Sequence, residues 1–162
     1  MKTLRSTFLA AALVVGSVAA AAAAYALWGS ARADEPAYRL RPDDAAVTAL
    51  GRQVYAAQCA SCHGTRLEGQ PGWRERAPDG RLPAPPHDAS GHTWHHPDEM
   101  LFRITKDGVA KLAQLEDYAT SMPIYDGVLS DEEIVAALSW IKSQWPEHIR
   151  SRHDQLNRSA GR

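Results

Sequence analysis

Charged and apolar positions divide the chain sharply at its start. After Lys2 and Arg5, no charged side chain occurs from Ser6 to Ala31. A positive start followed by an apolar run predicts an export signal. Two outcomes fit residues 1–33. Ala31-Arg32-Ala33 has the small-x-small form of a cleavage site, which would release a chain beginning at Asp34. The run is also longer than the signal-peptide core of roughly 7–15 residues, and it reaches the roughly 20 residues that span a bilayer. A retained anchor helix over residues 6–31 would keep Lys2 and Arg5 in the cytoplasm. Either outcome places the rest of the chain in the periplasm, soluble or held at the inner membrane.

Beyond this segment the pattern predicts helices separated by long loops. Residues 34–42 are polar, with Pro36 and Pro42, and read as a linker. From Asp43 or Asp44 to Gln58, Val47, Leu50, Val54 and Tyr55 recur at spacings of three and four, and the aspartate suits an N-cap. From Gly64 to Pro97 periodicity disappears among prolines and glycines. A loop of that length in a compact domain is usually functional or wrapped around something. Pro97 suits the first position of another helix, with Leu101, Phe102 and Ile104 on its apolar side and Gly108 at its end. Residues 109–116 suit a further short helical piece.

The strongest helix signal lies in "LSDEEIVAALSWIKSQWPEH". Ser130 and Glu133 have the spacing of a capping box. Ile134, Leu138 and Ile141 form one stripe, and Pro146 marks the stop. The main domain is thus expected over residues 43–149, with a polar, frayed tail at 150–162. No strand pattern or repeat appears, so the expected class is all-α.

Composition narrows the function. The chain has 162 residues and a formal net charge of -1, room for one domain and no charge excess that would draw it to nucleic acid. Seven histidines and five tryptophans are many for this length. There are only two cysteines, Cys59 and Cys62. A disulfide between them would close a tiny loop and stabilise little. A structural zinc site would need four ligands, and no second cysteine pair exists.

The two thiols stand in Cys59-Ala60-Ser61-Cys62-His63, the C-x-x-C-H pattern of covalent haem attachment. Two thiols on one helical turn span the vinyl-bearing edge of a porphyrin, and the next residue then offers its imidazole to the iron. A thioredoxin-like redox pair is the competing reading. It ordinarily accompanies a βαβ pattern, whereas the surroundings here are helix and loop. A sixth ligand could come from Met122, which lies in a loop directly before Pro123 and ahead of the last strong helix. His/Met pairing raises a haem's reduction potential. The plain alternative is that Met122 merely packs in its loop. Met100 reads as helix core.

With these residues assembled, the chain resembles a class I, mono-haem cytochrome c over roughly residues 43–146. Gly51 and Tyr55 stand where that family has a glycine and an aromatic on its first helix. Trp140 stands at the aromatic of its last helix, and Met122 stands before that helix. The resemblance implies a helical domain wrapped around one covalent haem c. It implies an electron carrier with His63 and Met122 as axial ligands, and not an enzyme. Its redox partners would be a membrane oxidoreductase, a terminal oxidase or a periplasmic redox enzyme. The family also has a proline whose carbonyl accepts the proximal histidine's other N–H. Pro83, Pro85 and Pro86 are the candidates here.

Three features stay open. His92, His95 and His96 suit a second metal, a docking or pH-sensitive surface, or a loop folded over the haem with Trp94 on the ring. Trp73, Arg74 and Arg76 suit either haem propionates or solvent. If Met122 does not ligate, a haem enzyme or a gas- or peroxide-binding protein becomes the rival reading. A histidine-rich metal binder without haem is the third.

Overall fold

The computed structural model describes residues 38–115 and 118–160. The expected signal or anchor at residues 1–33, and the first part of the expected linker, lie outside the described residues. The elements are α1 (Ala45–Gln58), α2 (Ala60–His63), a 3-10 turn (Thr93–His95), α3 (Asp98–Asp107), α4 (Val109–Leu112), α5 (Asp131–Ser143) and α6 (Glu147–Ala160). Among the described residues there is no strand, so the all-α expectation holds. No helix among them is long and apolar enough to cross a membrane.

Local chemistry explains most helix ends. The Asp44 carboxylate accepts from the amides of Ala46 at 3.0 Å and Val47 at 3.2 Å, which satisfies two orphan donors of α1. At α5 the capping box closes both ways. Glu133 N–H donates to Ser130 Oγ at 3.2 Å, and Ser130 N–H donates to Glu133 Oε2 at 2.8 Å. Pro97 sits one place earlier than expected, as the cap of α3 rather than its first residue. Gly108 ends that helix with φ of 88°, a conformation that side chains with a Cβ rarely adopt.

The core forms where α1 crosses α5. Val47, Gly51, Val54 and Tyr55 are buried on α1, and Ile134, Val135, Leu138 and Ile141 on α5. Gly51 is what allows the close crossing. A Cβ there would overlap the backbone carbonyl of Ala136 and stand 2.9 Å from Trp140 Cβ. Beside it the Tyr55 and Trp140 rings lie 4.7 Å apart between centroids, tilted by 44°.

The end of the chain differs from expectation. Residues after Ile149 do not fray: α6 runs to Ala160, and His153 on it is fully buried. Pro146 does stop α5, but its carbonyl then accepts from the amides of Ile149 and Arg150 and starts α6. The anchors of α6 are mostly directional polar bonds. His153 Nε2–H donates to His96 O at 2.9 Å. Asn157 donates to Asp98 Oδ1 at 2.9 Å and accepts from the Asp98 amide at 2.8 Å. Lys142 Nζ, almost wholly buried on α5, meets Asp154 Oδ1 at 2.6 Å. A search for apolar stripes does not register this kind of packing.

The described end of the expected linker is likewise part of the domain. Leu40 is buried in the core, its amide donates to Asp98 Oδ2 at 2.9 Å, and the Arg41 amide donates to Ser139 Oγ at 2.9 Å. Asp98 therefore joins three segments: the residues before α1, the start of α3, and α6.

Candidate functional site

Cys59, Cys62 and His63 come together on one short turn. Helix α1 ends at Gln58, and α2 carries Ala60–His63. Both cysteines are free thiols, Cys59 half-buried and Cys62 exposed. Burial, with the second thiol nearby, pushes the Cys59 thiol up to about 11, so it is protonated at neutral pH.

Two tyrosines brace this turn. Tyr125 O–H donates to Gln58 O at 2.8 Å, immediately before Cys59. Tyr55 O–H donates to Gly64 O at 2.7 Å, immediately after His63. Burial raises the pKa of both phenols, which keeps them as donors. Tyr55 matches the expected family aromatic. Tyr125 had no sequence signal beyond its place near Met122.

His63 is buried and held in one tautomer. Its Nδ1 lies 2.8 Å from Pro85 O. A carbonyl can only accept, so Nδ1 carries the proton and Nε2 keeps its lone pair. Of the three candidate prolines, the structure selects Pro85. Burial lowers the His63 pKa, against the opposing pull of that carbonyl. The side chain is thus a neutral imidazole with a free basic nitrogen, the form in which histidine binds a metal.

The long loop is tied back to this turn. Gly69 N–H donates to His63 O at 2.8 Å, and His87 N–H donates to Leu67 O at 2.8 Å. Leu67 makes this return by taking φ of 69°, unusual for a branched side chain, and it is nevertheless buried. Gln70 and Ala84 pin the base of the excursion between them through Gln70 N–H to Ala84 O and Ala84 N–H to Gln70 Oε1, each at 2.8 Å. Pro85, Pro86 and His87 follow, with Pro86 pressed against Gly91, where a Cβ would overlap Pro86 O.

His87 was not among the residues singled out from the sequence. Its ring stacks on His63 with centroids 4.0 Å apart and planes 23° apart. Its Nδ1 shares a 2.8 Å hydrogen bond with Thr93 Oγ1. Burial, followed by the neighbouring His63 and His92, holds its pKa well below the ordinary histidine value.

Met122 is half-buried in the loop ahead of α5, and its amide donates to Thr120 Oγ1 at 3.1 Å. Three residues later the chain is anchored. Tyr125 and Asp126 donate their amides to Thr105 O at 3.3 Å and Lys106 O at 3.0 Å. Since the Tyr125 hydroxyl binds Gln58, this loop is tethered to the residue preceding Cys59.

The three clustered histidines do not point to one centre. His92 stacks on Trp73, centroids 5.3 Å apart, and meets His96 edge-on. His95 stacks on Trp94 at 3.7 Å. Among the described residues no group of three or more His, Cys, Asp or Glu is arranged to hold a metal ion. Arg74 lies over Trp73 at 4.0 Å, and Arg76 donates to Gly80 O at 2.6 Å.

Among the described residues, Trp94 is the exception to otherwise satisfied buried side-chain polar atoms. Its Nε1 is buried with no hydrogen-bond partner, although buried polar groups are nearly always bonded. Its ring packs against the buried cluster that includes Leu101 and Tyr125, as Cys59 also does. An acceptor is missing beside this wall, and an anionic group on a flat cofactor would supply one. With two free thiols on one turn and an imidazole whose Nε2 is free, the residues present fit a covalently held haem.

Residues 46–141 match the family model described as cytochrome c oxidase, cbb3-type, subunit III. The chain belongs to this class I c-type cytochrome family. No curated protein and no solved structure matches it. The matched span runs from the first turn of α1 to Ile141 in α5 and includes every element that holds the C-x-x-C-H turn. All of α6, with its buried His153, lies beyond it.

Proposed function

We propose that the protein is a periplasmic electron carrier with one haem c, held by thioethers to Cys59 and Cys62 and ligated by His63 and Met122. The observation that carries this reading is the His63–Pro85 hydrogen bond, which leaves Nε2 as a free ligand nitrogen on the residue next to Cys62. One-electron exchange at the iron is the chemistry such a group supplies when bound. The chain's own part is to position and shield. Pro85 fixes the tautomer and raises the basicity of His63, as partners behind a ligating histidine do. Tyr55 and Tyr125 hold the turn from either end. Trp94 and the buried cluster it packs against would give the group an apolar surface that excludes water. Trp94 Nε1–H is the donor for a propionate. Met122 would supply the second protein ligand, and iron held by both residues would offer no place to a substrate.

The family's description names an oxidase subunit, so a terminal oxidase is the partner we favour, with the domain anchored through residues 6–31 on the periplasmic side of the membrane. The test is the intact mass of the protein exported in cells with haem-maturation machinery, alongside Cys59→Ser/Cys62→Ser. The expected wild-type mass is the polypeptide plus one haem, absent from the double variant. The same measurement reports whether residues 1–33 are removed. A bare polypeptide mass would overturn the reading. For the sixth ligand, Met122→Ala should convert a low-spin, methionine-ligated spectrum to a high-spin one. High-spin iron in the wild type would favour the rival, a haem protein with an open site for gases or peroxide.

A further inference from the structure

The Pro85–Pro86–His87 segment touches His63 twice, once through a carbonyl and once through a ring. A single hydrogen bond from Nδ1 to Pro85 O fixes one direction in the imidazole plane. It leaves the ring free to roll about the Nδ1···O line. A flat group against the face removes that freedom, and His87 lies there, 4.0 Å away and within 23° of parallel.

His87 is itself held on several sides. Its amide donates to Leu67 O at 2.8 Å, and its carbonyl accepts from Trp145 Nε1–H at 2.7 Å. Its Nδ1 is bonded to the buried Thr93 hydroxyl at 2.8 Å. Tyr55 closes the edge, with centroids 6.4 Å apart and planes at 72°. An aliphatic side chain could fill this space. Only a planar one transmits an orientation, and Thr93 sets that plane.

Resting on the proposed haem ligation by His63, we propose that His87 is a positioning residue for the proximal imidazole, setting the angle of its plane about the axis to the metal. That angle governs which of the iron's π-type orbitals lies highest in the ferric state. It is therefore read by the anisotropy of the electron paramagnetic resonance signal and by the order of the haem methyl proton resonances. A role in packing alone would move neither while the fold is intact.

The experiment uses the full exported protein in the wild type and in His87→Leu, His87→Phe and Thr93→Val. His87→Leu removes the plane and keeps the bulk; the expected result is a shifted largest g value and a reordered methyl pattern, with haem mass and helicity unchanged. His87→Phe restores a flat face and should return both signals toward the wild type. Thr93→Val leaves the stacked ring in place without its tether, and should move both signals in the direction His87→Leu does, by less. Thr93→Val also serves as the test should His87→Leu fail to fold. Haem-loaded variants with unchanged g values and methyl order overturn this proposal and leave His63 ligation standing. A wild type without covalent haem overturns both.

Discussion

The α1–α5 crossing makes a prediction whose sign differs from the ordinary rule. In a helix interior alanine is favoured over glycine by about 1 kcal/mol. Gly51→Ala should nevertheless destabilise. The added methyl would meet the carbonyl carbon and oxygen of Ala136 and the Cβ of Trp140. These are main-chain atoms and the root of a side chain, so no rotamer change removes the overlap, and the helices must part. Overpacking costs roughly 1–3 kcal/mol, and a contact with rigid backbone belongs at the upper end. About 3 kcal/mol less the propensity gain of about 1 leaves about 2 kcal/mol of destabilisation.

With a urea slope of about 2 kcal/mol/M, the unfolding midpoint should fall by about 1 M. The assay is urea unfolding of the exported protein followed by far-ultraviolet circular dichroism. Ala56→Gly, at an exposed position on the same helix, is the control and should lose about 0.5 M from propensity alone. If Gly51→Ala leaves the midpoint unchanged or raises it, the helices do not cross at this glycine and the core is arranged differently.

Trp140→Ala should cost roughly 2–3 kcal/mol, below the usual 3–5 for a fully buried large side chain, because Trp140 is only half-buried against Tyr55; urea midpoints measure it, and a near-zero effect would contradict this packing. Asn157→Ala should cost about 1–3 kcal/mol by leaving the Asp98 amide and Oδ1 without their partner, and deletion of the tail from residue 147 should be far more damaging than loss of a frayed end. His153 is buried against His96 O, with Lys142, Asp98 and Asp154 nearby; burial first, then Lys142, lowers its pKa, against the opposing pull of Asp98, the His96 carbonyl and Asp154. A lowered histidine pKa means the unfolded chain binds the proton more readily, so this contribution is present above about pH 6.5 and is lost as the pH falls below it. His153→Gln should accordingly flatten the fall in urea midpoint between pH 7.5 and 5.5, and an unchanged slope would show that His153 does not titrate on unfolding.

Much of the architecture is readable in the chain because it depends on neighbours in sequence. Asp44 and the Ser130/Glu133 pair act within a single helical turn, and the apolar spacing of Val47, Val54, Ile134 and Leu138 reports a face that must be covered. The Cys59-Ala60-Ser61-Cys62-His63 turn is equally local, so its chemistry could be read before any fold was known. The choice of Pro85 over Pro83 and Pro86 could not, because it depends on where a loop returns after an excursion pinned by Gln70 and Ala84. The stack of His87 on His63 and the bracing of Gln58 by Tyr125 are likewise meetings of distant segments. The final helix is the clearest case. Beside Ile149 its packed face presents the buried His153 and the half-buried Asn157, residues that look solvated in a one-dimensional pattern. They pack inward because Asp98 and His96 O stand opposite them at bonding distance. Apolar burial is non-directional and leaves a periodic trace along the chain, whereas a hydrogen bond is satisfied by one partner in one geometry, and only the folded arrangement supplies it.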